Sequence, residues 1–125
     1  MLDWGSVNNC LPQSDLQELG NSIITDFERR VASIPDYLCA PFHDEARQLE
    51  TELLGIYRVV VLCARKEEDL EAVSKLWGLI VQICDQCLDQ LRALAQKHPN
   101  CGADTYYDRV LDLRNKCNRL QQMHS

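Results

Sequence analysis

The chain has 125 residues, of which 46% are hydrophobic and 26% charged, and these proportions are those of an ordinary globular domain. Nineteen Asp and Glu residues against thirteen Lys and Arg give a formal net charge of −6, so the composition predicts no affinity for nucleic acid or for anionic lipid. No apolar run is long enough to predict a membrane span, and the opening MLDWGSVNNC lacks the basic and apolar regions of a secretion signal. We therefore expect a cytoplasmic protein with a single folded domain.

The seven cysteines are an odd number, and four of them fall inside strongly helical patterns. A secreted disulfide framework instead pairs an even number of cysteines in loop-rich sequence. We therefore expect the cysteines to be reduced.

The chain is predicted to begin with an extension over residues 1–13, and a folded domain over 14–125 follows. The first helix is expected over about 14–34. Ser14 and Gln17 have the spacing of a capping box, and Pro35 closes the helix.

The second and third helices are expected over about 43–65 and 68–98, where apolar residues recur every three or four positions. No Pro or Asn separates them, so one continuous helix is the alternative. A turn is favoured because Arg65 and Lys66 suit the end of a helix, whereas Glu67, Glu68 and Asp69 suit the start of the next.

The fourth helix is expected over about 104–123, after the loop that contains Pro99 and Gly102. Folding consecutive helices back on one another brings apolar residues to matching heights, for example Ile56 with Trp77 and Cys84 with Cys117. The sequence therefore predicts an all-α protein with an up-down-up-down antiparallel four-helix bundle.

The pair Cys84-x-x-Cys87 lies deep inside the third helix, on its apolar face. A redox pair of the thioredoxin type needs an exposed helix start that lowers the thiol pKa. We therefore interpret both cysteines as core residues.

Two predicted loops at one end of the bundle carry Cys39 with His43 and His98 with Cys101. Two thiolates and two imidazoles are a known tetrahedral zinc set, so these four residues are the candidate metal ligands. The alternative is that the histidines serve helix ends and the loop cysteines bind nothing. No other cofactor is predicted.

Arg92 and His98, in RALAQKH, fit the Arg-x₅-His pattern of the HEPN ribonucleases, which are also small helical bundles. The resemblance covers seven residues, and Ala93 stands where such enzymes usually carry a polar residue. It implies a ribonucleolytic alternative in which Arg92 and His98 act on RNA, whereas both residues also suit the end of a helix.

The second and third helices are apolar on more than half of their surface, which exceeds what one buried stripe requires. We therefore expect a non-catalytic interaction module that self-associates as a homodimer or binds a partner protein through these helices. The candidate interface consists of Tyr57, Val61, Leu79 and Ile83, together with Trp4 of the extension. The competing interpretation is a monomer in which the second and third helices are central.

Overall fold

The computed structural model of the protein describes residues 13–35 and 37–123. These ranges contain four helices, which are α1 (Gln13–Ala32), α2 (Ala40–Lys66), α3 (Leu70–Lys97) and α4 (Ala103–Met123), and they contain no strand. The predicted all-α four-helix bundle is confirmed. None of these four helices combines the length and the apolar character needed to cross a bilayer.

The turn between α2 and α3 occupies residues 67–69, which excludes one continuous helix. Glu67 adopts an extended conformation, and the Asp69 side chain accepts a hydrogen bond from the Glu71 backbone N–H at 3.0 Å. This is ordinary N-capping, in which a carboxylate satisfies an amide at the start of a helix. The change from basic to acidic residues that predicted the turn therefore coincides with the end of α2 and the start of α3.

The helix boundaries lie within a few residues of those predicted from the sequence. The largest difference is at α2, which begins at Ala40 instead of about residue 43. Pro41 lies in its first turn, where a missing backbone N–H removes no intrahelical hydrogen bond. At the α3–α4 connection, Gly102 has a φ of 70°, a left-handed conformation that glycine adopts without strain.

The helices α2 and α3 form the centre of the bundle, because each packs against all three other helices. The helices α1 and α4 lie against this central pair and scarcely contact each other. A central helix buries more than one stripe, and this accounts for the broad apolar surface of α2 and α3. The apolar residues beyond one stripe that the structure buries on these two helices are Val59, Leu76, Leu79, Val81, Ile83 and Leu88.

Contacts between neighbouring helices agree with the register that the sequence predicts. The Tyr57 and Trp77 rings of α2 and α3 have centroids 5.9 Å apart, beside the expected Ile56–Trp77 layer. Between α3 and α4, Arg114 Nε donates to Asp85 Oδ1 at 2.9 Å, next to the expected Cys84–Cys117 layer.

The thiols of Cys84, Cys87 and Cys117 are buried in the core and free. Burial raises the pKa of the Cys84 thiol far above its usual range, and the nearby thiols of Cys87 and Cys117 raise it further. Burial also raises the pKa of Cys87 to about 12 and that of Cys117 to about 11. These thiols therefore remain protonated and behave as small apolar side chains, as expected for core positions.

Candidate functional site

The loops that carry the four candidate metal ligands do meet at one end of the bundle, and there they form a disulfide. Cys39 at the start of α2 is bonded to Cys101 in the α3–α4 connection, with 5.2 Å between their Cα atoms. Zinc binds cysteine as a free thiolate, and sulfurs that are bonded to each other do not supply one. A covalent crosslink thus takes the place of the two thiolate ligands that we predicted.

The two histidines of this set have other neighbours. His43 Nδ1 lies 2.9 Å from the Tyr106 hydroxyl, within hydrogen-bonding distance. His98 is only 1% exposed, and its ring centroid lies 5.5 Å from that of Phe42. In residues 13–35 and 37–123, no group of three or more His, Cys, Asp or Glu side chains could hold a metal ion. The structure therefore gives this end of the bundle an aromatic cluster around a disulfide.

The prediction that all cysteines are reduced is wrong, because Cys39 and Cys101 are oxidised. The helical positions describe the buried thiols of Cys84, Cys87 and Cys117 correctly, but not Cys63 of α2, which is also disulfide-bonded, and they give no information about the loop cysteines. Stable disulfides are rare in the cytosol and common in oxidising compartments. The cytoplasmic localisation stays a prediction, and the disulfide removes one of its supports.

The Arg92 and His98 side chains are not presented together as a ribonuclease pair would be. Arg92 is exposed, and its Nη2 donates to the Tyr107 hydroxyl at 2.8 Å, an interaction that raises the pKa of Arg92. His98 is buried against Phe42 and offers no surface to an RNA phosphate. These positions give no support to the ribonucleolytic alternative.

The predicted interface residues fall into three groups. Leu79 and Ile83 are buried within the single chain, with 7% and 3% exposure, so neither offers surface to a partner. Tyr57 and Val61 are half-buried and lie on one common groove. Trp4 lies outside the described residues. The surplus of apolar residues that suggested a homodimer is thus largely absorbed by the central position of α2 and α3.

The groove that contains Tyr57 and Val61 lies beside the α2–α3 turn and has a volume of about 370 Å³. We call it the α2–α3 groove. Leu70, the first residue of α3, stands on it with 61% of its surface exposed. Leu70 directly follows the turn at residues 67–69, in the first turn of α3, where its side chain lies beyond the core. The residues that line the groove are Tyr57, Val61, Ala64, Arg65, Glu67, Leu70, Val73, Trp77 and Leu120.

Trp77 lines the groove and also carries a polar atom. The side chain is buried, and its Nε1 has no hydrogen-bond partner within the part of the chain that the structure describes. A buried indole N–H normally has an acceptor. Nearby, Lys116 Nζ lies 4.9 Å from the centroid of the Tyr57 ring, and its hydrogen bond with Tyr57 raises the pKa of Lys116. The α2–α3 groove thus combines apolar walls, an indole N–H without an acceptor among the described residues, basic side chains and the carboxylate of Glu67.

Together, the fold and this surface define a small helical-bundle protein with an apolar groove. The chain matches no protein-family model, and comparison with curated proteins and with solved structures found no match. The function is therefore argued from this chain's own residues.

Proposed function

We propose that the protein is a non-catalytic binding module that holds an apolar segment of a partner protein in the α2–α3 groove. The observation that carries this proposal is the exposure of Leu70 beside the half-buried Tyr57 and Val61. Full burial of a leucine side chain gains roughly 1.5–3 kcal/mol, so a partner that covers Leu70 gains part of this free energy. Other strongly exposed apolar side chains, Tyr37 and Met123, do not line this groove.

The proposed occupant is an amphipathic segment with an acidic flank. Arg65 lines the groove and Lys116 lies over Tyr57, so two cations border an apolar surface that has one carboxylate, that of Glu67, in a chain whose formal net charge is −6. Complementary charge speeds association and selects among partners. An acceptor on the segment, such as a backbone carbonyl at a helix end, would satisfy Trp77 Nε1.

A partner protein accounts for this surface better than a second copy of the chain. A stable dimer generally buries at least about 1,200 Å² in total, and the groove has only one strongly exposed large apolar side chain, Leu70. The net charge of −6 also makes two copies repel each other. Self-association remains the alternative, and a sedimentation mass near twice the 14.4 kDa chain would favour it.

The test is a selection of displayed amphipathic peptides of about 15 residues, a length at which isolated helices are marginally stable. Selected peptides are expected to carry apolar residues at helical spacing with acidic flanks. Binding can be followed by Trp77 fluorescence in a Trp4→Phe background, because the chain has two tryptophans.

Variants of the groove and a matched control complete the test. Leu70→Glu and Val61→Glu each place a charge in the groove and are expected to weaken peptide binding by at least tenfold, which corresponds to about 1.4 kcal/mol. Leu54→Glu makes the same change at another exposed leucine, on α2 but outside the groove, and should leave binding unchanged. Failure to select any peptide, or equal binding by all three variants, would contradict the proposal.

A further inference from the structure

A second concave surface lies between α1 and α2 and shares no lining residue with the α2–α3 groove. We call it the α1–α2 cleft. Its volume is about 370 Å³, and Leu19 and Ile23 of α1 form an apolar wall. Its polar residues include Arg30 of α1 and Glu52 of α2. The cleft therefore combines a small apolar surface with ionic groups, which is typical of sites for small polar ligands.

Glu52 is an acidic residue in the middle of α2 with only 7% exposure. Gln48 Nε2 donates to its Oε1 at 2.9 Å. The nearest guanidinium nitrogen, Arg30 Nη2, lies 3.9 Å from Oε1, which is within ion-pair range but too long for a hydrogen bond. A buried carboxylate normally has close charged partners, and Glu52 has one distant cation.

Arg30 is shared between two carboxylates. Its Nε bonds to Glu45 Oε2, whereas its buried Nη2 has no hydrogen-bond partner within residues 13–35 and 37–123. Because the single guanidinium of Arg30 faces the carboxylates of Glu45 and Glu52, these three residues together carry one excess negative charge. The other cation of the cleft, Arg29, is already paired with Asp26 at 3.2 Å. The cleft therefore has an unbalanced carboxylate and an unused hydrogen-bond donor, 3.9 Å apart.

We propose that the α1–α2 cleft binds a small ligand in which an ammonium group stands next to a hydroxyl or carboxylate oxygen. The ammonium group balances the charge of Glu52, and the neighbouring oxygen accepts from Arg30 Nη2. Ammonium and oxygen on adjacent or nearly adjacent carbons match the short separation of these two protein groups. A phosphate or a dicarboxylate would add negative charge to a group that already carries an excess of it.

The experiment is a titration of the isotopically labelled full chain with four probes, followed by NMR. Ethanolamine and L-alanine carry the proposed pair of groups, and the stronger of the two identifies the oxygen as hydroxyl or carboxylate. Glycerol and acetate lack the ammonium group and serve as controls. At least one amine is expected to shift the amide signals of Ser22 and Gln48 saturably, whereas glycerol and acetate should not.

Two cleft variants and one control decide the assignment. Glu52→Gln keeps the shape and removes the charge, and should weaken amine binding by about tenfold or more, as expected for loss of a charged hydrogen bond. Glu50→Gln makes the same change at a glutamate that pairs with Arg109 outside the cleft, and should have no effect. Ser22→Phe fills the cleft from an exposed position and should abolish binding without disturbing the core. Absence of saturable amine binding, equal binding of glycerol or acetate, or retained binding in Glu52→Gln would overturn the proposal.

Discussion

Removal of the Cys39–Cys101 disulfide is expected to destabilise this protein strongly. The bond closes a loop over a sequence separation of 62 residues and ties the α1–α2 connection to the α3–α4 connection. In the chain-entropy description, a crosslink restricts the unfolded chain more as the loop lengthens. For this separation, the loss on removing the crosslink is about 4 kcal/mol.

Packing contributes less than the crosslink at this position. Cys101 is buried and Cys39 half-buried, so replacement by alanine costs roughly 1 kcal/mol in lost contacts. The crosslink should therefore dominate, and breaking it from either side should have the same effect. We expect Cys39→Ala, Cys101→Ala and the double variant each to lose about 4–5 kcal/mol, which corresponds to a drop of roughly 15–20 °C in Tm.

The assay is urea unfolding followed by far-UV circular dichroism, with peptide mapping under non-reducing conditions to verify that Cys39 and Cys101 are linked. Two residues that act through one bond are non-additive, so the double variant should lose little more than either single variant. Losses that add in the double variant, or a loss below about 1 kcal/mol in every variant, would refute this reasoning.

Two other predictions concern helix packing and the core thiols. A Cβ at Gly20 would clash with Ile83 Cδ1 in the core and lie 2.8 Å from Ile83 Cγ1, so Gly20→Ala should lower stability by about 1–3 kcal/mol in urea unfolding, and Ile83→Val should restore part of it. Gly78→Ala is the matched control: its Cβ meets only the end of the Gln121 side chain, which can move, so the variant should be neutral or up to about 1 kcal/mol more stable. A destabilising effect at both glycines would contradict this account. Burial raises the pKa of Cys87 from 9.0 to about 12, so the folded state binds this proton more tightly than the unfolded state does. The stability advantage of wild type over Cys87→Ala should be constant below pH 9 and fall by about 1.4 kcal/mol per pH unit above it. A constant difference between pH 8 and pH 10 would show that the Cys87 thiol is not desolvated.

The sequence by itself determined the four helices and the turn at residues 67–69, because these are properties of local spacing and local charge. Apolar residues at every third or fourth position define a helix face, and Asp69 caps α3 through a hydrogen bond to an amide two residues away. The core role of Cys84 and Cys87 follows from the same local pattern. None of these conclusions requires knowledge of which helices become neighbours across the bundle.

Only the tertiary structure decided which surfaces are left for function. Leu79 and Ile83 were expected on a partner interface because each helix was assumed to bury a single apolar stripe. The central position of α2 and α3 buries both residues, whereas Leu70 projects beyond the core. Cys39 and Cys101 were recognised as neighbours, but whether two sulfurs hold a metal ion or bond to each other depends on a Cα separation of 5.2 Å. Such properties depend on which residues distant in the chain come into contact, and hydrophobic periodicity carries no information about that pairing.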